Sequence, residues 1–209
     1  MARNYVNTLF TDQARAMQAE DGSREAYARM EEGADGSPDL ITEKEAGFIH
    51  ARDSFYLASV TPEGWPYVQH RGGPAGFLKV LEDNRLGFAD YRGNRQHVST
   101  SNLVADPRVS LFLMDYPNRR RLKVLGHARI VTAAEDPELL SRLMPEGYKA
   151  LPERAYLIDV VGYDWNCPQH ITPRFTEAEL ASALKPMADE LTRLRAENEQ
   201  LRKASSPKE

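Results

Sequence analysis

The stretch SFYLASVTPEGWPYVQHR, Ser54–Arg71, decides how this chain is read. Aromatic, aliphatic and β-branched residues run on both sides of Pro62-Glu-Gly64, which has the composition of a tight turn. Side chains alternate faces along a pleated strand, and a short Pro/Gly turn joins antiparallel neighbours, so the stretch reads as a hairpin. Working outward, Phe77–Leu81 and Arg85–Tyr91 form a second hairpin around Glu82-Asp-Asn84. Val109–Asp115 and Arg121–Thr132 form a third across Pro117-Asn118, and Ala155–Tyr163 supplies a last strand. Few helices intervene. Thr42-Glu-Lys-Glu45 has the form of a capping box opening a helix to Arg52. A short helix near Val98–Val104 stops at Asp106-Pro107, and another spans Pro137–Met144. Consecutive strands joined by tight turns pair antiparallel, and six or seven of them close into a small barrel. The expected fold is therefore mainly β with peripheral α.

The flanks differ from this body. Residues 8–40 read as helical and then loose, with N-cap residues at Thr11 and Ser23 and breaks at Gly33, Gly36 and Pro38, which makes a wrapping arm. The expected division is an N-terminal arm over 1–41, a barrel domain over 42–175 and a C-terminal helix over 176–209 with a frayed end. That last segment opens with a second capping box, Thr176-Glu-Ala-Glu179, and Pro186 is expected to break it. Beyond lies a heptad, with Leu184, Leu191 and Asn198 at a, Met187, Leu194 and Leu201 at d, Glu190 and Glu197 at g, and Arg195 and Arg202 at the following e positions. Two readings stand: a short parallel coiled coil, or an amphipathic helix lying on its own barrel. A DNA-reading zipper needs a basic helix upstream, and TEAELASALKPMADE is acidic.

Composition excludes several classes. The chain has 209 residues, 41% of them hydrophobic and 28% charged, with a net charge of -4, so neither disorder nor bulk attraction to nucleic acid is implied. Any anion site is local. MARNYVNTLFTDQARAM has no apolar run of signal-peptide length, and no stretch is apolar enough to span a bilayer, so a cytoplasmic protein without membrane contact is expected. The single Cys167 fits no paired-cysteine motif and is expected to be an inert small hydrophobe. His50, His70, His97, His127 and His170 show no metal-ligand spacing, so no metal is expected. Asn118-Arg-Arg-Arg-Leu-Lys123 reads as a solvated basic turn.

Two clusters can do chemistry. In Tyr91–Asn102, YRGNRQHVSTSN, Gly93-Asn94 permits left-handed backbone, Arg92 and Arg95 carry fixed charge that forks onto phosphate oxygens, and Gln96, Ser99, Ser101 and Asn102 add neutral donors. A helix starting there also offers free N–H groups to an anion. The alternative is a solvated connector. Gln69-His-Arg71 ends a strand at Gly72-Gly73, where a flat ring or a phosphate can approach the backbone closely. After the last strand, Asp164–Arg174 is polar and stiffened by two prolines, with Trp165, Gln169, His170 and Arg174 offering a stacking face and donors. Against that, Trp165 is equally suited to cap the barrel.

The run Trp65–Arg71, the strand end Phe88-Ala-Asp90, the turn Gly93-Asn-Arg-Gln96 and the segment Asp106–Leu111 together resemble the pyridoxamine 5'-phosphate oxidase-related proteins, over about residues 42–175. The bacterial members of unassigned activity share the WNCPQHITPRF ending. The resemblance implies an FMN-binding split β-barrel that works as a homodimer with flavin at the subunit interface. It implies that Arg71 and Arg95 hold the FMN phosphate, with Asn94 in the same turn and Gln96 where many members carry lysine. Gln69, His70 and Gly72 would flank the flavin, and Phe88, Ala89 and Asp90 would line its ribityl side. Ser101 and Asn102 would add donors, and Trp165 and Gln169 would reach the partner's flavin. His170 and Arg174 would face the substrate. Members that oxidise vitamin B6 end in an Arg-Leu-His-Asp-Arg pattern, which this chain replaces with Gln169–Arg174, so that substrate is not expected. The implied function is an FMN-dependent oxidoreductase acting with a small-molecule substrate or reductant. The rivals are a flavin-storing or redox-sensing module that catalyses nothing, and a haem or other tetrapyrrole binder on the same barrel.

Overall fold

The hairpin that opens the sequence reading is β1, Ser54–Val60, paired along its whole length with β2, Pro66–Gly72. This computed structural model describes residues 3–82, 84–165 and 168–205, with side chains to 203, so the expectation for Cys167 lies outside the described residues. The remaining strands are β3 (Lys79–Leu81), β4 (Arg85–Tyr91), β5 (Arg108–Asp115), β6 (Arg120–Thr132) and β7 (Pro152–Trp165). The helices are α1 (Asn4–Leu9), α2 (Asp12–Glu20), α3 (Arg24–Glu31), α4 (Glu43–His50), α5 (Val98–Ala105), α6 (Pro137–Leu143) and α7 (Glu177–Ser205).

All seven strands form one antiparallel sheet in the order β2-β1-β5-β6-β7-β4-β3. Three strands separate β1 from β4 in that order, which in a flat sheet would set them about 19 Å apart. The rings of Phe55 on β1 and Phe88 on β4 nevertheless meet at 5.3 Å. The sheet therefore rolls around one core, filled by Phe55, Leu57, Leu86, Phe88, Leu111, Leu113, Leu122, Val124, Tyr156 and Ile158. It does not close. Among the described residues β2 and β3, the two ends of the order, share no ladder. Closure into a barrel was expected and is corrected: Gly72-Gly-Pro-Ala-Gly76 lies between these strands, and a proline and three glycines make poor ladder. Side chains bridge the open seam instead.

The roll tightens where β6 and β7 shift register between Leu125 and Gly126. A Cβ on Gly126 would sit 2.5 Å from a methyl of Ile158 and 2.8 Å from the carbonyl of Asp159, so only glycine lets the strands approach there. Strand β7 runs three residues further back than its apolar pattern indicated, because ladders to β4 and β6 carry the polar Pro152-Glu-Arg segment.

The N-terminal arm is latched. Asp39 Oδ1 accepts from the backbone N–H groups of Arg3 (2.6 Å) and Asn4 (2.9 Å), and Oδ2 from those of Tyr5 (3.0 Å) and Tyr163 (3.3 Å). One carboxylate thus caps α1, a helix that begins ahead of the segment read as helical, and ties it to β7. Gly162 makes room: a Cβ there would lie 2.7 Å from the Tyr5 nitrogen. The Thr42/Glu45 capping box forms as read, and Glu45 also accepts from Trp165 Nε1 at 2.7 Å. Burial alone would push the Glu45 carboxyl up, but the donors from Thr42 and Trp165 outweigh it and hold it below its ordinary value.

At the other end α7 is one uninterrupted helix of 29 residues with Pro186 inside, which corrects the expected break. Proline removes one N–H and crowds the carbonyl four residues back, here that of Ser182, and on a fully exposed helix water satisfies that carbonyl. The alternative of α7 lying on the sheet is also corrected, because every one of its residues whose side chain is described is exposed. Among the described residues no helix is long and apolar enough to cross a membrane.

Candidate functional site

Strand β2 alternates in burial, with Tyr67, Gln69 and Arg71 half-buried and Val68 and His70 exposed. The half-buried face looks across the open seam onto the end of β4, the loop 92–97, the start of α5 and the polar start of β7. Together these enclose a cleft of ≈ 210 Å³ that includes Gln69, Arg71, Asp90, Asn94, Arg95 and Gln96. An adjoining cavity of ≈ 170 Å³ is lined by His70, Gly72, Phe77, Phe88 and Ala89, and shares Arg71, Asp90 and Tyr91 with the first. The structure thus gathers two separate sequence clusters around one cleft.

Arg71 is the hinge between the cavities. Its guanidinium lies over the rings of Tyr156 (5.0 Å) and Phe88 (5.8 Å), and Nη1 donates to Asp90 Oδ1 at 2.5 Å. Asp90 also meets Arg154 Nε at 3.5 Å, its register partner across the β4/β7 ladder. Burial pushes the Asp90 carboxyl up, and the nearby charges of Arg71 and Arg154 only partly offset that. Glu153 gathers Arg92 (3.1 Å), Arg154 (3.0 Å) and Arg95 (3.7 Å), and the hydrogen bond from Arg92 leads in holding its carboxyl low. Four guanidinium groups, of Arg71, Arg92, Arg95 and Arg154, stand against two carboxylates, of Asp90 and Glu153, leaving two positive charges uncompensated. On a chain of net charge -4 this is a local reversal of sign.

Among the described residues, three that line the cleft carry a buried donor without a partner: Arg71 Nε and the hydroxyls of Ser99 and Tyr91. Above them α5 begins without a side-chain cap on His97 and without an acidic residue in its first turn. The N–H groups of Val98, Ser99 and Thr100 have no carbonyl within the helix to reach, and the helix dipole adds positive potential. The left-handed residues of the loop are Arg95 and His97, both at φ 57°, rather than Gly93-Asn94. Asn94 instead uses its side-chain oxygen to accept from the Gln96 N–H at 3.2 Å, which folds the turn locally.

Not every candidate residue comes to the cleft. Ser101 is exposed and donates to the Val98 carbonyl (2.9 Å), while Asn102 is buried and donates to Ser59 on β1 (2.9 Å). Their neighbours Ser99 and Thr100 line the cleft, with Thr100 Oγ1 2.9 Å from the Tyr156 hydroxyl. Trp165 packs edge-on against Phe48 at 4.7 Å beneath Arg120, the barrel-capping alternative. Gln169 and His170 are exposed, and Arg174 lies over Tyr116 at 4.9 Å beside a different cavity. Tyr67, Glu153, Arg154 and Tyr156 were missed. For Arg154 a signal existed, a second arginine flanking a strand, but only the β4/β7 register places it opposite Asp90.

Comparisons with known proteins agree with this architecture. The family profile described as "Pyridoxamine 5'-phosphate oxidase" matches residues 41–161. Among solved structures, the HupZ protein of Group A Streptococcus is 15% identical, with 65% of this chain and 100% of that chain covered at a TM-score of 0.50. A putative pyridoxamine 5'-phosphate oxidase of Lactobacillus delbrueckii is 19% identical, with 60% and 93% covered at a TM-score of 0.45. General Stress Protein 26 of Bacillus anthracis is 18% identical, with 64% and 95% covered at a TM-score of 0.45. At 15% identity the likeness to HupZ is one of fold alone. No protein with a curated description matches the chain.

Proposed function

The chain belongs to the pyridoxamine 5'-phosphate oxidase family, and from that premise we propose that it binds FMN in the β2/β4/α5/β7 cleft and acts as an FMN-dependent oxidoreductase. One observation carries the reading: a cleft with two uncompensated positive charges also holds buried, unpartnered donors, among them Arg71 Nε and Ser99 Oγ. A phosphate dianion supplies both the missing charge and the missing acceptors. Buried donors cost stability when left empty, so their retention here fits a ligand.

In this reading Arg71, Arg95, Ser99 and the first N–H groups of α5 hold the phosphate. Asp90 and Glu153 position the guanidinium groups, which keeps a fork aimed without reorganisation when the nucleotide arrives. Gln69, His70 and Gly72 flank the flavin from β2, and Phe88 and Ala89 give its ribityl side an apolar wall. Bound flavin supplies two-electron chemistry at its ring, and the protein's part is binding, orientation and exclusion of water. Gln169, His170 and Arg174, which stand away from their own cleft, would reach the cleft of a second copy, Gln169 at its flavin and His170 and Arg174 facing the substrate there.

The deciding experiment is the absorbance spectrum of the purified chain with mass analysis of what it releases on denaturation. Flavin bands, an FMN mass and bleaching by a reduced nicotinamide support the reading. A colourless protein that takes up no added FMN, or one showing only a Soret band, overturns it. Arg95→Ala should weaken FMN binding about 10-fold, a single partly exposed charge-assisted contact, and less so at high salt.

A further inference from the structure

Helix α7 leaves Leu184, Met187, Leu191, Leu194 and Leu201 between 47% and 69% exposed, all on one heptad seam of a helix whose described side chains are all exposed. A stripe of this kind is stable in water when another surface covers it. We propose that the cover is α7 of a second copy of this chain, joined as a parallel, in-register two-stranded coiled coil over Leu184–Leu201, a contact separate from any made by the sheets.

The chemistry of the stripe selects its own copy and one orientation. In a parallel pair each g residue faces the next e residue of its partner, which sets Glu190 against Arg195 and Glu197 against Arg202 on both sides. An antiparallel pair would set g against g and e against e, placing carboxylate against carboxylate and guanidinium against guanidinium. Asn198 at an a position faces its own counterpart only in the parallel, in-register arrangement, where the two amides hydrogen-bond each other. In the antiparallel one it would face an apolar d residue and stay unpaired.

Pro186 falls at position c, on the outer face, so its missing N–H lies away from the seam. Ion pairs along the outer faces hold the helix ready: Lys185 with Asp189 (3.7 Å), Arg193 with Glu190 (2.7 Å) and Glu197 (3.6 Å), and Lys203 with Glu199 (2.7 Å). Arg193 donates to both oxygens of Glu190 (2.9 and 2.7 Å), and the second lone pair of each oxygen is still open to a partner's arginine.

The test uses the full chain with Cys167→Ala as background and single cysteines at Met187→Cys, Leu201→Cys and the outward Ala196→Cys. Seam positions d in a parallel pair lie about 6 Å apart, within disulfide reach. Mild oxidation should link the 187 and 201 variants into dimers, at least about 10-fold faster than the 196 variant. Dimers that form only when the Met187→Cys variant is mixed with an added Asn198→Cys variant would mean antiparallel helices, where a faces d, and equal or absent linkage at 187, 196 and 201 would mean no seam. Either result overturns the proposal. Glu190→Arg with Glu197→Arg should slow linkage through Leu201→Cys about 10-fold, and adding Arg195→Glu with Arg202→Glu should restore it. Circular dichroism confirms that α7 remains helical. Loss without restoration also overturns the assignment.

Discussion

Two aspartates, one buried and one half-buried, organise two parts of this molecule, and they are used in opposite ways. Asp39 takes four backbone N–H groups onto its two oxygens, and every donor in its reach is satisfied. Asp90 is gripped by Arg71 and Arg154, yet the same cleft leaves Arg71 Nε and Ser99 Oγ buried without acceptors. A saturated hub is a fastening, because nothing remains to be gained by adding a ligand. Under the proposed function an unsaturated one is a receptacle, because the desolvation cost has been met and a bound phosphate would supply the compensating partner. The difference separates structure from function more sharply than charge alone, since both hubs are acidic.

The comparison can be broken in several ways, beginning with the largest effect. Asp39→Ala strips four N–H groups of their shared acceptor, so stability measured by urea unfolding should fall by about 3 kcal/mol, with the affinity for FMN unchanged. A loss of FMN binding without a loss of stability would reverse the roles given to the two hubs. Arg71→Met keeps the stem packed on Phe88 and Tyr156 but removes the charge, and should weaken FMN binding about 100-fold in fluorescence titration.

Ser99→Ala should cost about 3- to 5-fold in FMN affinity while leaving the apo protein as stable or slightly more so, because the hydroxyl it removes has no partner. A destabilised apo protein would show that the hydroxyl is fastened after all. The smallest effect is on pH. Burial raises the Asp90 carboxyl from its ordinary value of 3.8, so the native state binds a proton that the unfolded chain has released. Its contribution to stability therefore falls as pH rises from 3.8 through the raised value and is flat above it. Subtracting the stability profile of Asp90→Asn from that of the parent in the absence of FMN should expose this falling slope; a rising slope would mean that the arginines, not burial, dominate at Asp90.

Much of the fold was legible because it rests on short-range rules. The hairpin turn at Pro62-Glu-Gly64, the capping box at Thr42 and the strand alternation from Phe55 onward each follow from neighbours within a few residues. The site was half legible for the same reason. Arg71 and Arg95 announce themselves by charge beside glycine or a turn. Ser99 was read as a donor together with Ser101 and Asn102, which point elsewhere, and Thr100 was passed over, because successive residues on a helix point about 100° apart and the phase of α5 is set only by where the loop lets it begin. Arg154 and Glu153 lie some sixty residues from the loop they serve, and local pattern has no access to a ladder register.

What the amino-acid order settled unaided is therefore the strands, their antiparallel pairing and the presence of a heptad after residue 183, since periodicity and turn chemistry act along the chain. Only the tertiary structure decided that the sheet rolls without closing, that the seam so left becomes the cleft, and that α7 passes through Pro186 into open solvent. Those outcomes depend on which surfaces meet across long separations, and on whether water or protein receives each polar group that folding sets free.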